Sequence, residues 1–270
     1  MDPHVDTATG RLFSFMEYTW NISDSTPLRE PWSRYVSEAG APAERVFAGL
    51  IELCRLPEEA ETEISKLAIS PAMREMYLAP VEKSRHVLTS IMHLDSPSQS
   101  IKARYDLRDL GALEICSVAV SEALSFPAPT SDTLVDIKTR AAEIIDLLTA
   151  DSSLDSEFAS YVLAMMHKVQ EGVDIYRIAG SGPLRAEFEH FLGRVVADPA
   201  GAKAFSKTKS AEKLLALVGI LSAVWIPVFH DAAQIAQDEV TVEQSSITIV
   251  NNLLSEAGFL QKSIEPPKSK

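Results

Sequence analysis

The chain has 270 residues, 46% hydrophobic and 23% charged, with 11 glycines and 15 prolines, a composition that excludes disordered and collagen-like classes. A formal net charge of −13, with no cluster of five or more Lys and Arg, repels phosphate backbones and anionic lipid; no direct nucleic-acid partner is expected, and a basic protein surface is favoured. The two cysteines, Cys54 and Cys116, lie among apolar residues and are expected as buried free thiols; with no basic and apolar leader in the first ten residues, a cytoplasmic location is expected.

Residues 1–40 hold six of the nineteen aromatics (Phe13, Phe15, Tyr18, Trp20, Trp32 and Tyr35) among turn formers such as Asn21, Asp24, Pro27 and Pro31. The enrichment predicts an N-terminal arm with two possible uses. It packs on its own core, where aromatics bury large apolar areas, or it docks on a second copy or a protein partner, where Trp and Tyr serve as anchors.

Helical text begins after Pro42, with Val46, Phe47, Leu50, Ile51 and Cys54 at three- and four-residue spacing, and Pro57 is expected to close that helix. An acidic helix over Glu58 to Ile69 and another from about Pro80 to Leu94, with Val81, Leu88, Ile91 and Met92 inward, follow. Residues Ile101 to Leu124 read as two helical parts meeting near Gly111, the second apolar enough to be central in a bundle. Phe126-Pro127-Ala128-Pro129 then denies helix and central strand alike and marks the best boundary.

Beyond it, Ser131 precedes a stripe of Leu134, Ile137, Ala141, Ile144, Ile145 and Leu148. A long helix is expected from about Leu154 to Ile178, ended by Gly180-Ser181-Gly182, and Pro183 opens the next, carrying Leu184, Phe188, Phe191, Leu192 and Val195. Two more are expected over Lys213 to Gln237 and Val242 to Ala257, with Ile264 to Lys270 as a disordered tail. The expected fold is therefore an all-α array of about eight to ten helices, divided into an arm (1–40), an N-terminal helical subdomain (41–126), a C-terminal bundle (130–260) and a tail (261–270). Its core is expected to centre on Leu134, Ile137, Ile144, Leu148, Phe158, Val162, Phe188, Phe191, Leu217, Ile220 and Val224.

Chemistry-bearing patterns are sparse. Glu187-Phe188-Glu189-His190 supplies one Glu-x-x-His spacing, where a dinuclear carboxylate bundle needs two and further Glu ligands. His230-Asp231 resembles the His-Asp pair of the HD phosphohydrolase superfamily. That resemblance implies a divalent metal held by His190, His230 and Asp231, with Glu187 nearby, although Asp238 is the last aspartate and no distant one completes the family's ligand set. His86 and His93, about 10 Å apart along one helix, are too far apart for one zinc ion. Glu82 and His86 read as a surface pair. No Walker A, dinucleotide fingerprint or nucleophile elbow occurs. The run Leu154 to Val196, with Tyr176, Arg177, Ile178 and Gly180 at a helix end, resembles uncharacterised bacterial helical proteins, which implies no activity.

Leu214 to Phe229 is sixteen residues without a charge, with Ser222 as its one polar side chain. A helix apolar all round belongs in a core, an interface or lipid, and sixteen residues with Pro227 near the end fall short of the roughly 20 that span a bilayer. Burial is expected, with insertion of this segment into a membrane as the competing use. The sequence therefore predicts a non-enzymatic interaction protein that self-associates or binds a protein partner, with no cofactor. The alternatives are a membrane-inserting effector and a metal-dependent hydrolase with a dispersed His/Asp/Glu site.

Overall fold

A computed structural model describes residues 7–37, 41–124, 129–150 and 157–225. The expected helix over Val242 to Ala257, the tail, and His230, Asp231 and residues 226–229 lie outside them. The described residues are all-helical, with no strand assigned and one isolated antiparallel bridge between Pro27 and Pro97. The chain forms two compact units: Met1–Ala128 with Asp174–Ser181, and Pro129–Val173 with Gly182–Lys270.

In the first unit the elements run α1 (Ala8–Trp20), α2 (Arg29–Val36), α3 (Ala43–Ser65), α4 (Pro71–Leu88), a 3-10 turn (Thr89–His93), α5 (Gln99–Lys102) and α6 (Leu107–Leu124), joined by α9 (Tyr176–Ala179). Helix α1 packs on α3 and α6, α4 packs on the same two, and α2 lies on α3. The segment expected as an arm is thus helical and belongs to this unit. Thr7 caps α1, its hydroxyl accepting from Gly10 N at 3.0 Å, and Leu12, Phe15 and Met16 enter the core beside Leu53, Leu56, Val81 and Cys116.

Two prolines expected to punctuate helices lie inside them instead. Pro57 sits within α3 and Pro80 within α4, each buried, because the apolar stripe that anchors each helix continues across the proline and tertiary burial offsets the lost backbone bond. Pro71, expected as a stop, stands in the first turn of α4 behind Ser70, whose hydroxyl accepts from Met73 N. In α3, Leu50, Leu53, Leu56, Ala60 and Ile64 are buried, whereas Phe47 and Ile51 are exposed, and so is Cys54, expected as a buried thiol, because it lies on their side of the helix. Met92, expected inward, is exposed as well, and α6 runs unbroken through Gly111.

Gly180 follows α9 at φ 62, ψ −151, a region open almost only to glycine, and a Cβ there would lie 2.3 Å from the Arg11 guanidinium. Arg11 cannot easily retreat, being buried and paired with Glu59 at 3.0 Å. The long helix expected over Leu154 to Ile178 is instead two, α8 (Glu157–Asp174) and α9, separated at Ile175.

The second unit holds α7 (Ser131–Ala150), α8, α10 (Gly182–Ala197), α11 (Pro199–Phe205) and α12 (Lys209–Trp225), with α7 against α12 as its most extensive pairing. The α7 stripe of Leu134, Ile137, Ala141, Ile144 and Leu148 is buried, as are Phe158, Val162, Phe188, Phe191 and Leu217, while Ile145 and Ile220 are half-buried. Phe158 meets Phe205 with ring centroids 5.5 Å apart. Gly172 lets Leu184 approach so closely that a Cβ would meet its Cδ2 at 2.8 Å.

Candidate functional site

Helix α6 is apolar on two sides. It starts from a reciprocal cap: Asp106 Oδ1 accepts from Arg108 N at 2.8 Å and Asp109 N at 3.0 Å, and Asp109 Oδ2 accepts from Asp106 N at 3.0 Å. Backbone donation, first from Asp109, holds the Asp106 carboxyl below its ordinary range. Asp109 also pairs with Lys83, fixing α4 alongside. Inward go Leu113, Cys116, Ser117 and Val120, and burial pushes the Cys116 thiol up to about 12. Outward go Leu107 (63% exposed), Ile115 (61%) and Val118. A soluble helix ordinarily gives water its polar side; here that side carries large aliphatics.

Helix α3 repeats the pattern. Phe47 is 60% exposed and Ile51 45%, one turn apart, with Cys54 completing an i, i+4, i+7 row. Glu44 and Glu58, both exposed, stand at the two ends of that row. Partial burial pushes the Cys54 thiol up. The opposite face of α3 is locked in the core, so the row is presented on a rigid element.

The six N-terminal aromatics are brought together, but inside their own unit. Phe15 meets Trp32 and Tyr35 edge-on at 5.1 and 5.2 Å between centroids, and Phe13, Phe15, Trp32 and Tyr35 are buried. Tyr18 and Trp20 are half-buried: the Tyr18 hydroxyl donates to Pro31 O at 3.0 Å, and Lys102 Nζ lies 5.5 Å from the Trp20 ring. Arg177 lies 3.9 Å over the Tyr35 ring.

Glu187 and His190 do stand together, with Nδ1 of His190 3.8 Å from Glu187 Oε1, but Lys168 Nζ takes the same oxygen at 3.3 Å. Among the described residues no group of three or more His, Cys, Asp or Glu is arranged to hold a metal ion. His86 lies 3.7 Å from Glu82 on the exposed surface of α4, as a surface pair. No helix of the described residues is long and apolar enough to cross a membrane. Among the described residues, Leu214, Leu217, Val218 and Leu221 of α12 are buried, while Ala216 and Gly219 are exposed.

No family model, curated protein or solved structure matches the chain.

The exposed rows on α3 and α6 are not legible in the sequence, for one reason. Both helices carry apolar residues around much of their circumference, and periodicity alone does not say which side meets the core. The proline inside α3 concealed the clue, because only a helix continuing through Pro57 aligns Leu53, Leu56, Ala60 and Ile64 as the longer stripe.

Proposed function

We propose that this chain is a non-enzymatic helical interaction protein whose first unit binds a protein partner through the outward row of α3. The observation that carries the reading is Phe47 and Ile51, two large apolar side chains one turn apart on a rigid helix, exposed to water. Scattered exposed hydrophobics are ordinary, but an in-register row ending in Cys54 has the spacing with which helices engage apolar grooves or helical partners.

Glu44 and Glu58 at the ends of the row, together with the net charge of −13, favour a partner that offers apolar side chains flanked by Lys or Arg. The aromatics then serve as scaffold beneath the surface, with Tyr18 and Trp20 the two that retain exposed edges.

Chemical cross-linking in native lysate, followed by mass spectrometry, tests this. The expected result is a partner cross-linked beside α3 that is lost from Phe47→Asp/Ile51→Asp while helical content and melting temperature are kept. An unchanged partner set in that variant overturns the reading.

A further inference from the structure

We infer that the segment Asp174–Ser181, with α9 at its centre, is a strap that holds the opening turns of α3 in helix and so keeps Phe47 in one row with Ile51. This rests on reading Phe47 and Ile51 as the docking row, and it assigns the device that controls whether the row is formed.

The need for a strap follows from α3 itself. Its N-cap residue, Pro42, offers no side-chain cap to the free backbone N–H groups. Ala43, Glu44, Arg45, Phe47 and Ala48 are all exposed, and Val46 is only half-buried. Burial begins at Gly49, where α2 comes so close that a Cβ would lie 2.8 Å from that of Val36, and it continues through Leu50, Leu53 and Leu56. A helix end with so little buried surface frays unless something outside the helix holds it. Phe47 stands on the weakly held side of that boundary, and Ile51 stands on the fixed side.

The strap supplies the tie. Although it lies between α8 and α10 in the sequence, it belongs to the first unit, where α9 packs on α3 and α1. Asp174 Oδ2 meets Arg45 Nη1 at 3.4 Å, offsetting a cation that sits in the first turn of α3, at the positive end of the helix dipole. At the other end of the strap, Gly180 lies against the guanidinium of Arg11, which pairs with Glu59. Arg45, Glu52 and Glu59 recur at seven-residue spacing and share one flank of α3, so the strap follows that flank from the first turn toward Glu59. Phe47 and Ile51 stay uncovered.

The strap is also the part of the unit that opens most readily. An ion pair as open to water as that of Arg45, 43% exposed, is weak alone. Seating therefore depends on the burial of Tyr176 and Ile178 and on Arg177 stacked 3.9 Å over the Tyr35 ring. A single turn anchored by so few side chains opens at a lower cost than the unit as a whole, and the start of α3 opens with it.

Hydrogen exchange read by mass spectrometry on the full chain tests the strap with no partner present. Arg45→Gln and Ile178→Ala should each speed exchange of the amides of residues 45–49 by about fivefold or more, while residues 53–64 of the same helix stay within about twofold of the unmodified chain. Arg45→Lys, which keeps the charge, should keep the slow exchange. Arg29→Gln breaks an exposed ion pair with Asp95 elsewhere in the unit and should leave residues 45–49 unchanged. The inference is overturned by unchanged exchange at 45–49 in either Arg45→Gln or Ile178→Ala, by exchange in Arg45→Lys or Arg29→Gln as fast as in Arg45→Gln, or by a rise spread evenly over α1, α3, α4 and α6. A strap that behaves as expected in a chain that captures nothing beside α3 would sink the docking reading alone.

Discussion

The carboxylate of Glu63 in α3 closes the N-terminus of α1 at Thr9. Its Oε2 accepts from both the backbone N–H (2.9 Å) and the hydroxyl (2.8 Å) of Thr9, and its Oε1 accepts from Ala8 N at 2.7 Å. Two orphan donors of the helix are thus satisfied by a negative charge at the positive end of its dipole. Glu63→Gln replaces one acceptor by an amide that faces N–H donors. A loss of about 1 to 3 kcal/mol in chemical denaturation is expected. An unchanged midpoint would show that water serves these donors equally well.

Burial of Phe13, Phe15, Trp32 and Tyr35 makes α1 and α2 part of the first unit's core, so their removal should not be tolerated. Deleting residues 1–36 is expected to collapse the helical signal of that unit. Phe15→Ala alone should cost about 3 to 5 kcal/mol, the range for a buried phenylalanine. Circular dichroism and denaturant titration report both. A truncated chain that retains its full helical content would return these aromatics to the role of a detachable arm.

How far the fold was legible follows from where residue character and burial agree. Helix α7 is legible because its apolar residues form one stripe with polar residues elsewhere, leaving one way to bury it. Helices α1 and α2 are not, since the turn formers from Asn21 to Pro31 mask the two helix starts at Thr7 and Leu28. The short α9 and α11 depend on single local devices, Gly180 at positive φ and the Asp198 side chain accepting from Gly201 N at 2.9 Å. Of the candidate site, the helical spacing of Phe47, Ile51 and Cys54 is legible in the sequence, but spacing alone does not say that their side of α3 faces water. Helix α6 was expected to be enclosed, whereas one face of it is open.

Acid should loosen α6 before it disrupts the core. The Asp106 carboxyl is held below its ordinary 3.8 by backbone donation, so its contribution is fully present above that value and is lost as pH falls through the lower folded value. Asp106→Asn keeps an acceptor at the cap but removes the titrating group. Melting temperature at pH 7 should be nearly the same in both proteins, while the drop from pH 5 to pH 3 should be smaller in the variant. Equal drops would place the acid sensitivity elsewhere, for example at Asp95, which its pairing with Arg29 also holds low.

The two thiols should behave as opposites, because one shares the exposed row of α3 and the other faces inward from α6. Cys116 is buried and its thiol is pushed up to about 12, chiefly by desolvation and further by the charge of Glu63. At pH 8 about one molecule in ten thousand then carries the thiolate, the reactive form. Cys54 is accessible, but partial burial holds its thiol above the ordinary 9.0, so it should react more slowly than free cysteine and speed up steadily as pH rises through 9. An aromatic disulfide reagent at pH 8 should therefore titrate one thiol per native chain and two after denaturation. Two fast thiols in the native protein would contradict the enclosed inner face of α6, and none would contradict the open row on α3. Cys54 also reports on binding. A partner seated on Phe47 and Ile51 should slow its modification, and an unchanged rate in the presence of that partner would count against the α3 row.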